Sequence, residues 1–304
     1  MKAIGIDIGG TAIKGAIVDE NRKIHHQCTT PTNVTEGREG ILASLTATID
    51  HLFEKDKEIT GIGIGTAGRV DFKTGEVVYS TANLPGWQGI NLRDFIENTY
   101  SLPAVVDNDA NAALAGEWWN KKENYDSVTF LTLGTGVGGA NMVNRKIFRG
   151  NHWNGGEWGH VILYPEGRSC NCGNSGCIEQ YLSGTALVSL ANEQSGNRTY
   201  ENGAEVFEAF HTGEKEIQPV VERYIDDLTL VIYNLSVSID PEAVIIGGGV
   251  IESKDKWWPT LQQKLHKKEV KLDVLAATLG NKAGMIGSAK LLFDALSKGG
   301  DCEA

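Results

Sequence analysis

Two segments of this chain repeat one arrangement: an apolar strand, a turn built from glycine and threonine, and a second strand. The first is Lys2-Ala3-Ile4-Gly5-Ile6-Asp7-Ile8, turning at Gly9-Gly10-Thr11 into residues 12–19. The second joins residues 127–133 to 138–144 through Gly134-Thr135-Gly136-Val137-Gly138-Gly139. After each unit, strand and helix patterns alternate. The first half predicts a third strand at 23–29 and a helix at 40–53, where Ile41, Leu42, Leu45, Ile49 and Leu52 recur at helical spacing. It continues with a strand at 59–65, a helix at 92–100, a strand at 104–106 and a helix at 110–119. The second half predicts helices at 184–193, 204–210 and 217–238, a strand at 243–246, a helix at 257–266, a strand at 270–276 and a closing helix at 283–296. Such alternation predicts α/β layers with helices on both sheet faces, and the repeated opening points to a duplicated architecture. A length of 304 residues is enough for two compact domains.

Hydrophobic residues make up 41% of the chain and charged residues 22%, the balance of a globular protein. The net charge of −11 disfavours nucleic acid or an anionic membrane as the main partner. The chain enters a strand at once, without a charged-then-apolar leader, and holds no apolar run long enough for a membrane span. A cytoplasmic protein is expected.

Three of the five cysteines fall close together in Cys170-Asn171-Cys172-Gly173-Asn174-Ser175-Gly176-Cys177, with His160 ten residues upstream. Thiolates and an imidazole are the ligand set of tetrahedral zinc. The odd cysteine count and the reducing compartment argue against disulfides. Glu157 and Glu179 bracket the cluster, so a zinc loop there would hold acidic side chains in place for chemistry. Cys28 and Cys302 have no neighbouring ligand set and read as incidental thiols.

The glycine turns suit phosphate. Without side chains, the backbone N–H groups at Gly9 and Gly10 are open to an anion; Thr11 adds a hydroxyl, and Asp7 could orient a magnesium ion. The second turn contains a loose G-x-G-x-x-G, but it leads into a strand rather than a helix, which excludes a dinucleotide site and leaves a second phosphate turn with Thr135 as hydroxyl donor. Gly247-Gly248-Gly249, after Val244-Ile245-Ile246, is a third such turn or simply a tight strand–helix connection. The chain has no G-x-x-x-x-G-K-[ST]. In Val106-Asp107-Asn108-Asp109-Ala110-Asn111, acid and amide groups stand between a strand and a helix, where one aspartate could act as general base with Asn108 beside it, or Asp109 could merely cap the helix. Gly68-Arg69 and Asn83-Leu84-Pro85-Gly86-Trp87 read as turns, and Trp118-Trp119 and Trp257-Trp258 as packing or interface residues.

Taken together, these runs resemble the ROK (repressor, open reading frame, kinase) family of sugar kinases and regulators, within the actin-like ATPase superfamily, over almost the whole chain. D-I-G-G-T at 7–11 and L-G-T-G-V-G-G at 133–139 resemble the family's two phosphate motifs, and V-I-I-G-G-G at 244–249 its adenosine motif. E-W-G-H at 157–160 and C-N-C-G-N-S-G-C-I-E at 170–179 match its E-x-G-H and cysteine motifs. The resemblance implies two actin-like (ribonuclease H-like) α/β domains with the active site in the cleft between them. The smaller would span 1–110 with a returning helix from 283–304, and the larger, 111–282, would carry the zinc loop.

The same resemblance implies structural zinc on His160, Cys170, Cys172 and Cys177, a catalytic base at Asp109, and sugar contacts at Gly68, Arg69, Asn108, Asp109, Glu157, His160 and Glu179. Mg-ATP would be held by Asp7, Gly9, Gly10, Thr11, Lys14, Gly134, Thr135, Gly136, Gly247, Gly248 and Gly249. The implied reaction is phosphoryl transfer to the 6-hydroxyl of a hexose, with domain closure excluding water and a homodimer as the assembly. Glucose stands first, because N-L-P-G-W resembles the glucokinases. Gly68-Arg69 instead resembles N-acetylmannosamine kinases, so that sugar, N-acetylglucosamine, mannose and fructose follow. A sugar-responsive repressor is disfavoured because the first phosphate strand begins at residue 2 and the charge is acidic. A glycosidase using Glu157 and Glu179 would leave the glycine turns without a purpose.

Overall fold

A computed structural model describes residues 1–196 and 198–297; Cys302 and the end of the tail lie outside the described residues. The chain divides into two compact units. The first comprises Met1–Asn124, Arg149–Gly155 and the described residues from Asn281 onward, and the second Tyr125–Phe148 and Gly156–Gly280. No helix among the described residues is long and apolar enough to cross a membrane.

In the first unit, β1 (Lys2–Ile8), β2 (Ala12–Asp19), β3 (Ile24–Pro31), β4 (Ile62–Thr66) and β7 (Ala104–Asn108) form a sheet in the order β3-β2-β1-β4-β7. The expected turn at Gly9-Gly10-Thr11 closes an antiparallel β1–β2 pair, while β1, β4 and β7 run parallel. Alternation along β1 explains its two faces. Ile4, Ile6 and Ile8 join a core with Ile41, Leu45, Ile49 and Leu52 of α1 (Gly37–Lys55). The opposite face carries Gly5, paired in register with Gly63 of β4.

Those glycines admit the backbone of α9 (Ala283–Ser297). A Cβ on Gly5 would stand 1.9 Å from the Met285 carbonyl oxygen, and one on Gly63 1.9 Å from that of Ser288. Ser288 Oγ also donates to the Ile6 carbonyl at 2.9 Å. On its other side α9 meets α3 (Asp109–Asn120), where a Cβ on Gly287 would lie 1.6 Å from the Ala112 carbonyl oxygen. This close packing puts the whole of α3 in the first unit, whereas the sequence reading set the change of domain near residue 110.

A ribbon of β5 (Arg69–Asp71) and β6 (Glu76–Tyr79), followed by α2 (Leu92–Tyr100), completes the unit. The expected turn at Gly68-Arg69 is a bend at Gly68, with the ribbon starting at Arg69. Its strands are too short to show an alternating pattern. Leu84 and Trp87 of the N-L-P-G-W stretch are buried, and Trp87 Nε1 donates to Thr66 Oγ1 at 2.9 Å.

The second unit repeats the plan with β8 (Val128–Leu133), β9 (Val137–Val143), β10 (Lys146–Phe148), β11 (Ala243–Gly247) and β12 (Asp273–Ala276), ordered β10-β9-β8-β11-β12. Again the glycine turn closes an antiparallel pair and the strands beyond run parallel. The short β10 has no counterpart in the sequence reading, and β12 begins three residues later than expected. The helices are α4 (Glu179–Leu182), α5 (Gly184–Gln194), α6 (Gly203–His211), α7 (Gln218–Ser238) and α8 (Trp258–Lys267). Leu187, Phe207, Tyr224, Leu228, Ile232, Trp257 and Leu261 form their shared core with Leu131, Val244 and Ile246 of the sheet. Trp257 stacks on Phe207 at 5.8 Å between ring centroids, the packing role expected of it.

Candidate active site

In the first unit, chemistry gathers along one row of the sheet. Asp7, Gly65 and Asp107 are register partners on adjacent parallel strands. Gly65 leaves room for the start of α3: a Cβ there would stand 3.5 Å from Asp109 Cα and 2.9 Å from Ala112 Cβ. The N-cap of α3 is Asn108, whose Oδ1 accepts from the Ala110 and Asn111 N–H groups at 2.9 and 3.2 Å. Capping therefore falls to Asn108 rather than Asp109. Asn108 Nδ2 donates both to Asp109 Oδ1 and to the Gly68 carbonyl, each at 2.9 Å. Burial raises the Asp109 carboxyl above the ordinary aspartate range, against bonds from Ala110 N–H and the Asn108 amide.

Asp7 is pressed by α9, since a Cβ on Gly284 would sit 2.7 Å from its carboxyl carbon. Burial and the Asp109 charge push it up to about 6, while Lys14 pulls the other way. Lys14 Nζ donates to Asn281 Oδ1 at 3.0 Å. The turn itself is tight: Gly9 N–H donates to the Ala12 carbonyl at 3.0 Å, and a Cβ on Gly10 would lie 3.3 Å from the Asn83 carbonyl oxygen. Thr11 is exposed at its tip. Gly68 has a φ of +103°, with the Tyr79 carbonyl where a Cβ would go. Arg69 lies over the Tyr79 ring at 4.2 Å and donates to Asn154 Oδ1 at 2.8 Å.

In the second unit, Gly134 and Thr135 line a cavity of about 610 Å³ with Gly184, Thr185, Asn202, Gly203, Phe207, Gly249 and Ser253 among its walls. The three glycines after β11 divide. Gly249 lines the cavity, whereas a Cβ on Gly247 would meet the Phe130 ring at 2.9 Å and one on Gly248 the Leu133 carbonyl oxygen at 2.3 Å. The first two are thus required by strand packing. Thr185, Asn202 and Phe207 were not singled out from the sequence. Asn202 caps α6 and could have been noticed as the polar residue before its apolar run.

Glu179 opens α4 two residues after Cys177, and its Oε2 accepts from the Val137 N–H at 2.9 Å. A Cβ on Gly136 would stand 2.3 Å from the same oxygen. The cysteine loop and the second glycine turn therefore share one carboxylate. E-W-G-H lies on β9: a Cβ on Gly159 would be 2.0 Å from the Val137 carbonyl oxygen, and Trp158 Nε1 donates to Asn141 Oδ1 at 3.1 Å. Glu157 stands immediately before the short turn Trp158–His160.

The donor atoms of His160, Cys170, Cys172 and Cys177 all lie within 4.8 Å of one another. His160 presents Nδ1 to Cys170 Sγ at 3.8 Å, and the Cys172 and Cys177 sulfurs are 3.6 Å apart. Bond lengths of about 2.3 Å to sulfur and 2.0 Å to nitrogen give edges of this size around a tetrahedral zinc, so the donor set fits the ion. Cys28 accordingly stands apart from this cluster. The loop is anchored from behind, with Tyr164 packed edge-on against Tyr181 and its hydroxyl bonded to Asp227 of α7. Gly176 is obligatory, at φ +80° with the Tyr164 carbonyl oxygen 1.6 Å from a would-be Cβ.

A family model described as the ROK family matches residues 3–295. The chain belongs to the ROK family. It is 32% identical to a glucokinase of Halalkalibacterium halodurans, across 99% of this chain and 98% of the relative. It is 34% identical to an N-acetyl-D-glucosamine kinase of Citrobacter koseri, across 81% and 83%. Among solved structures, a ROK family glucokinase from Streptomyces griseus in complex with glucose and AMPPNP superposes with a TM-score of 0.83 at 32% identity, covering 96% of this chain and 99% of that one. These likenesses fit the mixed α/β architecture of two five-stranded sheets.

Proposed function

We propose that this chain transfers the γ-phosphate of Mg-ATP to the 6-hydroxyl of glucose. It is an ATP-dependent sugar kinase of the ROK family, and glucokinases stand among its full-length relatives. The observation that carries the reading is the recessed Asp109 carboxylate, oriented by Asn108 and raised in pKa, as a general base must be to take a proton from a sugar hydroxyl.

As the hydroxyl oxygen bonds to the γ-phosphorus, its proton passes to Asp109; the bond from phosphorus to the bridging oxygen breaks and ADP leaves. Magnesium bound with ATP supplies neutralisation of phosphate charge, and Asp7 is the side chain fitted to help hold it. The nucleotide occupies the cavity at Gly134, Thr135 and Gly249, with phosphates also served by Gly9, Gly10, Thr11, Lys14 and Gly136. Sugar contacts are assigned to Gly68, Arg69, Asn108, Asp109, Glu157, His160 and Glu179, as the family motifs imply. Zinc on His160, Cys170, Cys172 and Cys177 supplies rigidity: with Nδ1 turned to the thiols, His160 keeps Nε2 for a sugar hydroxyl. We also hold to a cytoplasmic homodimer without a nucleic-acid partner; the net charge of −11 supports the last point.

The N-acetyl-D-glucosamine kinase of Citrobacter koseri favours a second acceptor, a 2-acetamido sugar. An ADP-release assay over glucose, N-acetylglucosamine, N-acetylmannosamine, mannose and fructose separates the two. Glucose is expected to give the highest kcat/KM. A higher value for an acetamido sugar replaces the substrate, and no ATP-dependent turnover on any of them overturns the kinase reading.

A further inference from the structure

We propose that Arg149, acting through Asp107, is a positioning residue for the catalytic base. The proposal rests on Asp109 being that base. Asp107 sits at the end of β7 with its side chain only 1% exposed. A buried carboxylate is costly unless fully bonded, and this one has four bonds. Oδ1 accepts from the Asn108 N–H and from Asn111 Nδ2, both at 2.8 Å. Oδ2 accepts from Arg149 Nε at 3.0 Å and Nη2 at 2.6 Å. Two N–H groups from one guanidinium fix direction as well as charge, which a lysine does not do.

The guanidinium is itself held in place. Its carbon lies 3.6 Å from the centroid of the Phe72 ring, and the Phe72 carbonyl accepts from Arg93 Nη2 at 2.7 Å. Arg149 also opens the short segment Arg149–Gly155, which groups with the first unit although the residues on either side belong to the second. The line of support is continuous. Arg149 holds the Asp107 carboxylate, which holds the Asn108 backbone and the Asn111 side chain. Asn108 in turn caps α3 and donates to Asp109 Oδ1. Removing the guanidinium leaves a buried carboxylate half-bonded, and the Asn108–Asp109 corner loses its fixed base. The consequence is a misaimed proton acceptor, with the nucleotide cavity untouched.

The test uses the full-length, zinc-replete protein. Arg149→Ala is expected to lower kcat about 10–100-fold while KM for ATP stays within about twofold, the scale of a small misplacement of a reacting group. Free guanidinium chloride, far below denaturing concentration, should restore kcat saturably in Arg149→Ala and leave wild type unchanged. Arg149→Lys keeps the charge but not the fork and should retain the wild-type melting temperature with several-fold lower kcat; it carries the test if the alanine variant fails to fold. A folded Arg149→Ala or Arg149→Lys protein with wild-type kcat overturns the proposal. So does a loss that guanidinium cannot recover and that merely follows a lowered melting temperature. Asp109→Asn run in parallel separates the two claims: if it is fully active, the base assignment has failed, whereas an inactive Asp109→Asn beside a fully active Arg149→Ala sinks the positioning role alone.

Discussion

The two sheets share strand order, strand sense and a glycine turn after the first strand, yet they are furnished oppositely. Around the first turn stand carboxylates: Asp7 and Asp107 on one row of the sheet and Asp109 above Gly65. Packing by α3 and α9 recesses Asp7 and Asp109 and raises both pKa values. Around the second turn stand Gly134, Thr135 and a 610 Å³ cavity, with Glu179 drawn in from the end of the cysteine loop. One backbone plan thus serves two purposes. Close helix packing on the first sheet recesses the carboxylates to which we assign proton transfer. Open space at the second is where we propose that the nucleotide binds, with the cysteine loop fastened beside it through Glu179.

The sharpest way to break that contrast is to remove the charge from the first unit alone. Asp109→Asn is expected to lower kcat by roughly 10²–10⁴-fold, the range for a positioned general base, while sugar affinity and melting temperature stay close to wild type. Steady-state kinetics with calorimetric titration of sugar checks it, and near-normal turnover would remove the base role. A smaller effect is expected from the second unit. Cys172→Ser should lower zinc content and weaken sugar affinity together, by about tenfold, while leaving kcat less affected than Asp109→Asn does. Metal analysis and sugar titration on the same sample decide it: full affinity in zinc-free protein would make the loop dispensable.

Much of this was legible in the sequence because it rests on local pattern. The alternation in Lys2-Ala3-Ile4-Gly5-Ile6-Asp7-Ile8, the two glycine turns and the cysteine spacing each report a backbone form or ligand set within a few residues. What was not legible depends on residues far apart in the chain. Gly5 and Gly63 reveal their purpose only when α9, more than two hundred residues on, lies against them. Arg149 looks like an ordinary surface arginine until Asp107 and Phe72 are beside it. Gly247 and Gly248 meet strand packing while Gly249 lines the cavity, a division that a run of three glycines does not show. The β5–β6 ribbon escaped notice because strands of three and four residues carry almost no periodic signal.

The central claim is that the first unit supplies the carboxylate that takes the proton, and the pH dependence of kcat/KM for glucose tests it most directly. A base must be ionised, so the rate falls as pH drops through its raised pKa. Asp7, pushed up to about 6 by burial and by the Asp109 charge, titrates in the same limb, and the two report as a pair. The account predicts an acid limb lying above the ordinary aspartate pKa of about 3.9, with rate lost about tenfold per pH unit beneath it. A profile that stays flat from neutral pH down into the ordinary aspartate range, in protein that remains folded, would contradict it.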